Sequence, residues 1–322
     1  YPPAELVFAP PLRDRFDSPD NQFVIRYLIA RQAAYWNLAY WSLGNTEVYE
    51  YGVKDEQEFL DYGRYLAGIT PYGRMITAQD CEQRHGADRR WLSKLDLPAE
   101  RKLNTVQTAP GNPNDKSWQQ AAPNNALALD AWGNPPEYGG FPVLATEGLW
   151  EGQGRAEKPL RIIWGFFTAG AHTVWADWRY ENDNHTFGSI GRCWVPLPGL
   201  DVHLFTADRL GADCSGDEQL VLAAGHLREY EYWKMAPHNE LAAGGAEAYC
   251  LAEPGRQYLV YTPDGGSVNI NLGGLAASLT ARWFDPRDGT YAPAGTVQGG
   301  GVQSFTAPDG RDWVLSIKAA GN

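Results

Sequence analysis

Two glutamates each follow a strand-like run: Glu47 in Trp41-Ser42-Leu43-Gly44-Asn45-Thr46-Glu47, and Glu147 in Phe141-Pro142-Val143-Leu144-Ala145-Thr146-Glu147-Gly148. Glycosidic bond hydrolysis needs two positioned carboxyl groups, one to protonate the leaving oxygen and one to act as nucleophile or base. Glu147 and Glu47 are the candidate pair, with Glu50 close enough to rival Glu47. Further polar or aromatic residues recur just after strand-like runs: Asn45, Gln79 and Asp80, Gln107, and Asp177 with Trp178. Any one of them alone reads as an ordinary loop residue. Recurrence is the signal, because the C-terminal ends of the strands in a parallel barrel form a single face where such residues converge.

Other chemistries find little in the chain. Its 27 Lys and Arg against 39 Asp and Glu give a net charge of -12, which disfavours nucleic acid as a partner because phosphate backbones recruit basic patches. The sequence contains no phosphate-binding glycine motif and no H-E-x-x-H, and no cofactor is implied. Glu181-Asn182-Asp183-Asn184 offers oxygen ligands but lacks the spacing of a calcium loop, so it reads as a solvated turn and no metal site is expected. Cys81, Cys193, Cys214 and Cys250 form no C-x-x-C pair; they read as buried thiols or as one or two disulfides. No apolar run reaches the roughly 18 residues that a membrane-spanning helix needs. The chain opens on Tyr1-Pro2-Pro3 without a basic and apolar leader, so the expectation is that a secretion signal was removed or never present. The 13 Trp and 17 Tyr lend modest support to sugar binding, since flat aromatic faces suit the C-H faces of sugar rings.

The elements that must position these residues alternate, from Ala4 to about Met235, between short apolar runs and longer amphipathic ones, as βα units around a parallel sheet would. Leu6 to Ala9 reads as a strand. A helix is predicted from Asn21 to Tyr35, with Phe23, Tyr27, Ala30 and Ala34 on one face, and another from Asp55 to Leu66, with Phe59, Leu60, Gly63 and Leu66 on a common side. Strands are expected over Leu38 to Leu43, Tyr72 to Thr77, Leu103 to Val106, Phe141 to Thr146 and Thr173 to Ala176, and helices over Leu160 to Ala169 and Asp217 to Tyr232. Asn112 to Tyr138, rich in Pro, Asn, Trp and Gly, reads as a long substrate-side excursion. From Ala242-Ala243-Gly244-Gly245 onward, short β-like runs separated by turn signals indicate a small antiparallel β-sandwich. Two domains follow, 1–244 and 245–322.

The stretch Tyr27 to Asn45, ending Trp41-Ser42-Leu43-Gly44-Asn45, resembles the helix-to-strand segment before the acid/base of apiosidase-like glycoside hydrolases. Pro142 to Gly148 resembles their nucleophile segment, and Gly170-Ala171-His172-Thr173-Val174-Trp175 their approach to the last strand. Ala281-Arg282-Trp283-Phe284-Asp285-Pro286-Arg287-Asp288-Gly289 is similar to the β-domain that accompanies these barrels, which has been called collagen-binding.

The resemblance implies a (β/α)8 TIM-type barrel of the retaining type. Leu6 to Ala9 matches about the third strand and the first two are not recognisable, so the chain is expected either to belong to a longer polypeptide or to complete its sheet in another way. It implies Glu147 as nucleophile, Glu47 as acid/base, and Asn45 on the hydroxyl beside the anomeric carbon. Trp150, Trp175 and Trp178 would wall the sugar, and Asp80, Gln107 and His172 would recognise hydroxyls. In the family the acid follows Asn directly, whereas Thr46 intervenes here. The implied partner is an oligosaccharide or polysaccharide from which a terminal sugar such as apiose is released, and the implied location is secreted or periplasmic. A non-catalytic carbohydrate-binding or matrix-binding protein on a degenerate barrel is the alternative.

Overall fold

A computed structural model describes residues 17–35, 38–43, 56–77, 92–107, 120–133, 141–151, 159–177, 194–196, 203–205, 215–273, 278–298 and 300–319. The chain divides into two compact units, residues 1–107 with 130–146, and residues 108–129 with 147–322.

In the first unit, helix α1 (Pro19–Gln32) begins where the Ser18 hydroxyl accepts the Asn21 amide at 3.3 Å and Pro19 occupies the first turn. Its packed stripe is Asn21, Ile25, Ile29 and Ala33. This corrects the face expected from the sequence, because Phe23 and Tyr27 are 66% and 55% exposed. The helix carries two apolar stripes, and the β-branched one is the one that meets the core. Helix α2 (Glu56–Ile69) buries Phe59, Leu60, Gly63 and Leu66, the side its periodicity predicts. Strands β1 (Tyr40–Ser42) and β2 (Met75–Thr77) pair in parallel, with Trp41 opposite Ile76. Ile76 also makes a parallel bridge to Lys102, leading the chain into β3 (Asn104–Gln107). A 3.5 Å contact between the Thr77 and Thr105 hydroxyls lies buried beside it. Ile25, Ile29, Phe59, Leu60, Leu66, Ile76, Leu92, Leu95 and Phe141 form the core under these strands.

Strand β4 (Val143–Glu151) is the middle member of a three-stranded sheet, β3-β4-β5, with β5 at His172–Asp177. The expected strand end at Thr146 is thus corrected: the extended backbone continues through Glu147 and Gly148 for five more residues.

Helix α3 (Ala121–Gly133) occupies the middle of the segment expected to be an irregular excursion. Pro123 falls in its first turn, where a backbone N–H has no helical partner to lose. The paired asparagines that looked like loop residues are buried. Asn125 Nδ2 donates to Gly165 O and to Thr168 Oγ1, both at 3.1 Å, in helix α4 (Pro159–Thr168). Asn125 Oδ1 accepts from Asn239 Nδ2 at 2.8 Å, and Asn239 Oδ1 accepts the Cys250 amide at 2.9 Å. Gly165 admits this closeness, since a Cβ there would lie 2.9 Å from Ala121 O. Asn125→Ala leaves Asn239 without its acceptor and two α4 groups without their donor, so a stability loss of about 1–3 kcal/mol is expected by urea denaturation.

Beyond α4 and β5 come the antiparallel pair β6 (Trp194–Pro196) and β7 (His203–Phe205), helix α5 (Ser215–Leu227), and strands β8 (Ala236–Pro237), β9 (Tyr249–Glu253), β10 (Gln257–Thr262), β11 (Ser267–Asn271), β12 (Ser278–Phe284), β13 (Tyr291–Gln298), β14 (Val302–Thr306) and β15 (Trp313–Ala319). They form an antiparallel six-stranded sheet, β13-β12-β15-β10-β9-β8, facing a two-stranded one, β11-β14. Tyr258, Val260, Val268, Ile270, Leu279, Trp283, Leu315 and Ile317 fill the space between. Cys250 belongs to this core as a free thiol, its pKa pushed up to about 12 by burial. Gly265 makes the β10–β11 turn at φ +59, with no room for a side chain: a Cβ would sit 2.0 Å from Asp309 O.

Every residue of β10 is buried. By alternation, Tyr258, Val260 and Thr262 share one face while Gln257, Leu259 and Tyr261 share the other. The first face supplies Tyr258 and Val260 to the core between the sheets. The second meets the helices, where Tyr261 stacks on Trp164 of α4 with centroids 6.1 Å apart. Arg161, also on α4, ties the same edge by donating to Pro263 O at 3.2 Å and to Asp264 Oδ1 at 2.5 Å.

Candidate active site

The parallel pairing of β1 with β2 sends both strands toward the same side. Asn45 and Glu47 lie three and five residues beyond the end of β1, and Asp80 three beyond β2. These three, together with Glu50 and Trp178, fall outside the described residues. Gln107 is the last residue of β3. Glu147 is the fifth residue of β4 and Trp150 the eighth, while Trp175 lies on the neighbouring strand β5. Three predicted site residues, Glu147, Trp150 and Trp175, therefore sit on two adjacent strands.

His172 differs. It is the first residue of β5, five residues before the C-terminal Asp177, which at about 3.3 Å per residue puts the two ends roughly 16 Å apart. Its ring meets Phe167 and Tyr232 edge-on, with centroids at 5.8 and 5.7 Å. The residue keeps one edge in solvent, yet these contacts desolvate the imidazole and lower its pKa. Phe167 of α4 and Tyr232 thus pack against a ring that stays exposed to solvent.

A second set of polar residues was not singled out by the sequence. His226, on the last turn of α5, is 2% exposed. Its Nδ1 lies 3.0 Å from Tyr291 Oη and its Nε2 2.8 Å from Ser316 Oγ, and Tyr291 in turn donates to Glu229 Oε1 at 2.7 Å. The linear order Ser316, His226, Tyr291, Glu229 looks like a nucleophile relay, but Ser316 is 1% exposed on the central strand β15, where no substrate carbonyl could meet it. Tyr291 and Ser316 lie 65 and 90 residues from His226 along the chain, with no motif to mark them.

No group of three or more His, Cys, Asp or Glu side chains suited to a metal ion occurs among the described residues. Among them, too, no helix is long and apolar enough to cross a membrane.

The fold is similar to that of solved glycoside hydrolase structures, with mixed α/β content and an antiparallel sheet toward the C-terminus. One similar solved structure is named "Glycoside hydrolase", at TM-score 0.63 and 15% identity, with 92% of this chain and 68% of that one covered. A glycoside hydrolase family 5 protein from Bacteroides vulgatus matches at TM-score 0.63 and 16% identity over 92% of this chain and 66% of its own. A "putative glycoside hydrolase" from Bacteroides vulgatus matches at 0.59 and 13% over 94% and 55%. The chain thus spans between about half and two thirds of these proteins' lengths. Residues 238–318 match a family model described as "Putative collagen-binding domain of a collagenase". A search of the curated proteins gave no match.

Proposed function

We propose that the protein is a glycosidase that releases a terminal sugar, of the apiose type, from a plant cell-wall polysaccharide by a two-carboxylate retaining mechanism on a (β/α)8-type barrel. In this reading Glu147 attacks the anomeric carbon, and Glu47, or Glu50 in its place, protonates the departing oxygen and then activates water. Asn45 holds the neighbouring hydroxyl, Asp80 and Gln107 bind further hydroxyls, and Trp150, Trp175 and Trp178 wall the ring. Residues 1–244 form the catalytic domain and 245–322 the accessory one, acting in a secreted or periplasmic setting.

The observation that supports this most is the agreement between the glycoside hydrolase fold, matched over 92% of the chain, and the position of Glu147 on a strand of the sheet. A panel of branched pectic oligosaccharides, followed by proton NMR, tests it. Release of one terminal sugar with retained anomeric configuration is expected. Inversion overturns the double-displacement route, and binding without turnover of any glycan favours a carbohydrate-binding protein instead.

The match of residues 238–318 favours a second reading, in which the C-terminal sheets bind matrix protein. Saturable binding of the whole chain to collagen, unaffected by Glu147→Gln, would support it.

A further inference from the structure

His226 sits where helix α5 meets the six-stranded sheet, and its surroundings are built for a neutral ring. Phe284 of β12 lies flat against it, with centroids 4.1 Å apart and planes 3° from parallel. Trp164 of α4 and Tyr230 close the edges at 6.2 and 5.3 Å. Because the single Tyr291 proton goes to Glu229, Tyr291 Oη can only accept from His226, so Nδ1 carries the ring's hydrogen. Nε2 is then the acceptor for Ser316 Oγ–H. Both ring nitrogens are satisfied in this tautomer, and a second proton on Nε2 would face the Ser316 hydroxyl, forcing it to turn its own hydrogen away.

The charged and titratable groups around the ring come from each packed element. The turn after α5 supplies Glu229 and Tyr230, β12 supplies Arg282, β13 supplies Tyr291, and β15 supplies Lys318 beside Ser316. Arg282 is paired with Glu229 and lies over the Tyr291 ring at 4.0 Å, and Lys318 donates to Glu229 O at 2.7 Å. Glu229 therefore spends its charge on Arg282. Desolvation dominates at His226, with Arg282 adding to it and Glu229 opposing it, and the pKa falls from 6.5 to about 4.

We propose that His226 is the pin of an acid-released latch: protonating its ring frees the end of α5 from the sheet formed by β12, β13 and β15, while the core between the two sheets stays closed. The depressed native pKa fixes the sign. The latch is at full strength above about pH 6.5, where a released His226 is also neutral, and weakens as pH falls toward 4 because the released ring takes up a proton that the seated ring refuses. Helix α5 also packs on α4 and β5, so its release reaches the strand next to the one carrying Glu147.

Hydrogen exchange of the whole chain, corrected for intrinsic rates, tests this between pH 7 and 4.5. Protection of peptides covering 219–230 is expected to fall roughly fifty- to a hundredfold, while peptides covering 267–272 and 302–306 keep theirs. In His226→Gln, whose amide can still donate to Tyr291, the fall is expected to stay within about threefold. Protection of 219–230 that persists at pH 4.5 overturns the proposal, as does equal loss in the core peptides or an equal fall in His226→Gln. Should that variant not fold, the wild-type imidazole signal decides: a titration near pH 4 together with loss of α5 protection supports the latch, and a titration near 6.5 with protection intact overturns it.

Discussion

Glu147→Gln is expected to lower kcat/KM on any cleavable glycoside by at least about a thousandfold, with circular dichroism and melting temperature unchanged. The substitution keeps the shape of the side chain but removes the carboxylate that would form the glycosyl-enzyme bond, and a factor of a thousand corresponds to about 4 kcal/mol of transition-state stabilisation. Glu47→Gln should behave differently. Loss of a general acid costs about a hundred- to ten-thousandfold when the leaving group needs a proton, but far less with an activated aryl glycoside, whose leaving oxygen is stable as an anion. The inserted Thr46 makes Glu50→Gln the necessary companion: whichever of the two variants shows this leaving-group dependence is the one that has lost the acid. Unchanged turnover in Glu147→Gln would remove the nucleophile assignment.

Trp164→Ala is expected to destabilise the protein by about 3–5 kcal/mol. The indole is fully buried on α4, with Phe167, His226, Tyr261 and Phe284 all within 6.0–6.2 Å of its centroid, so truncation leaves a cavity where helices meet sheet. Trp164→Phe separates shape from polarity. Among the described residues the indole Nε1 has no hydrogen-bond partner, and a benzyl ring fills much of the space while removing a buried donor. Its cost should stay below about 2 kcal/mol. Chemical denaturation of the three proteins checks both values, and a loss under 1 kcal/mol for Trp164→Ala would mean that this junction contributes little.

Periodicity sufficed where one apolar stripe dominated. Helix α2 buries Phe59, Leu60, Gly63 and Leu66 as its spacing predicts, and α4, apolar apart from Arg161 and Thr168, is buried at every position but Arg161. It failed at α1 because size and burial disagree there: Phe23 and Tyr27 outweigh Ile25 and Ile29 in area, yet the smaller pair fits the core. Local propensity misled at α3, where Pro123 is harmless in the first turn and Asn125 is held by tertiary partners more than 40 residues away. The extension of β4 through Gly148 was hidden by a glycine that normally punctuates. Of the candidate site, the placing of Gln107, Glu147 and Trp175 on or next to three successive strands was legible, since the existence of strands, though not their ends, follows from hydrophobic runs. The His226 network was not, because α5, β13 and β15 converge only through the sheet order β13-β12-β15.

The two-sided burial of β10 bears on how this protein can be taken apart. A family boundary at residue 238 invites cloning of the C-terminal portion as a self-standing module. Cut there, Leu259, Tyr261, Phe284 and Val314, all at most 2% exposed in the whole chain, would lose α4 and α5 and present a broad oily wall to water. The excised piece should self-associate, and any stickiness it showed toward a fibrous ligand would report the wound rather than the native surface. Grafting this segment onto another protein would require carrying its two helices along with it.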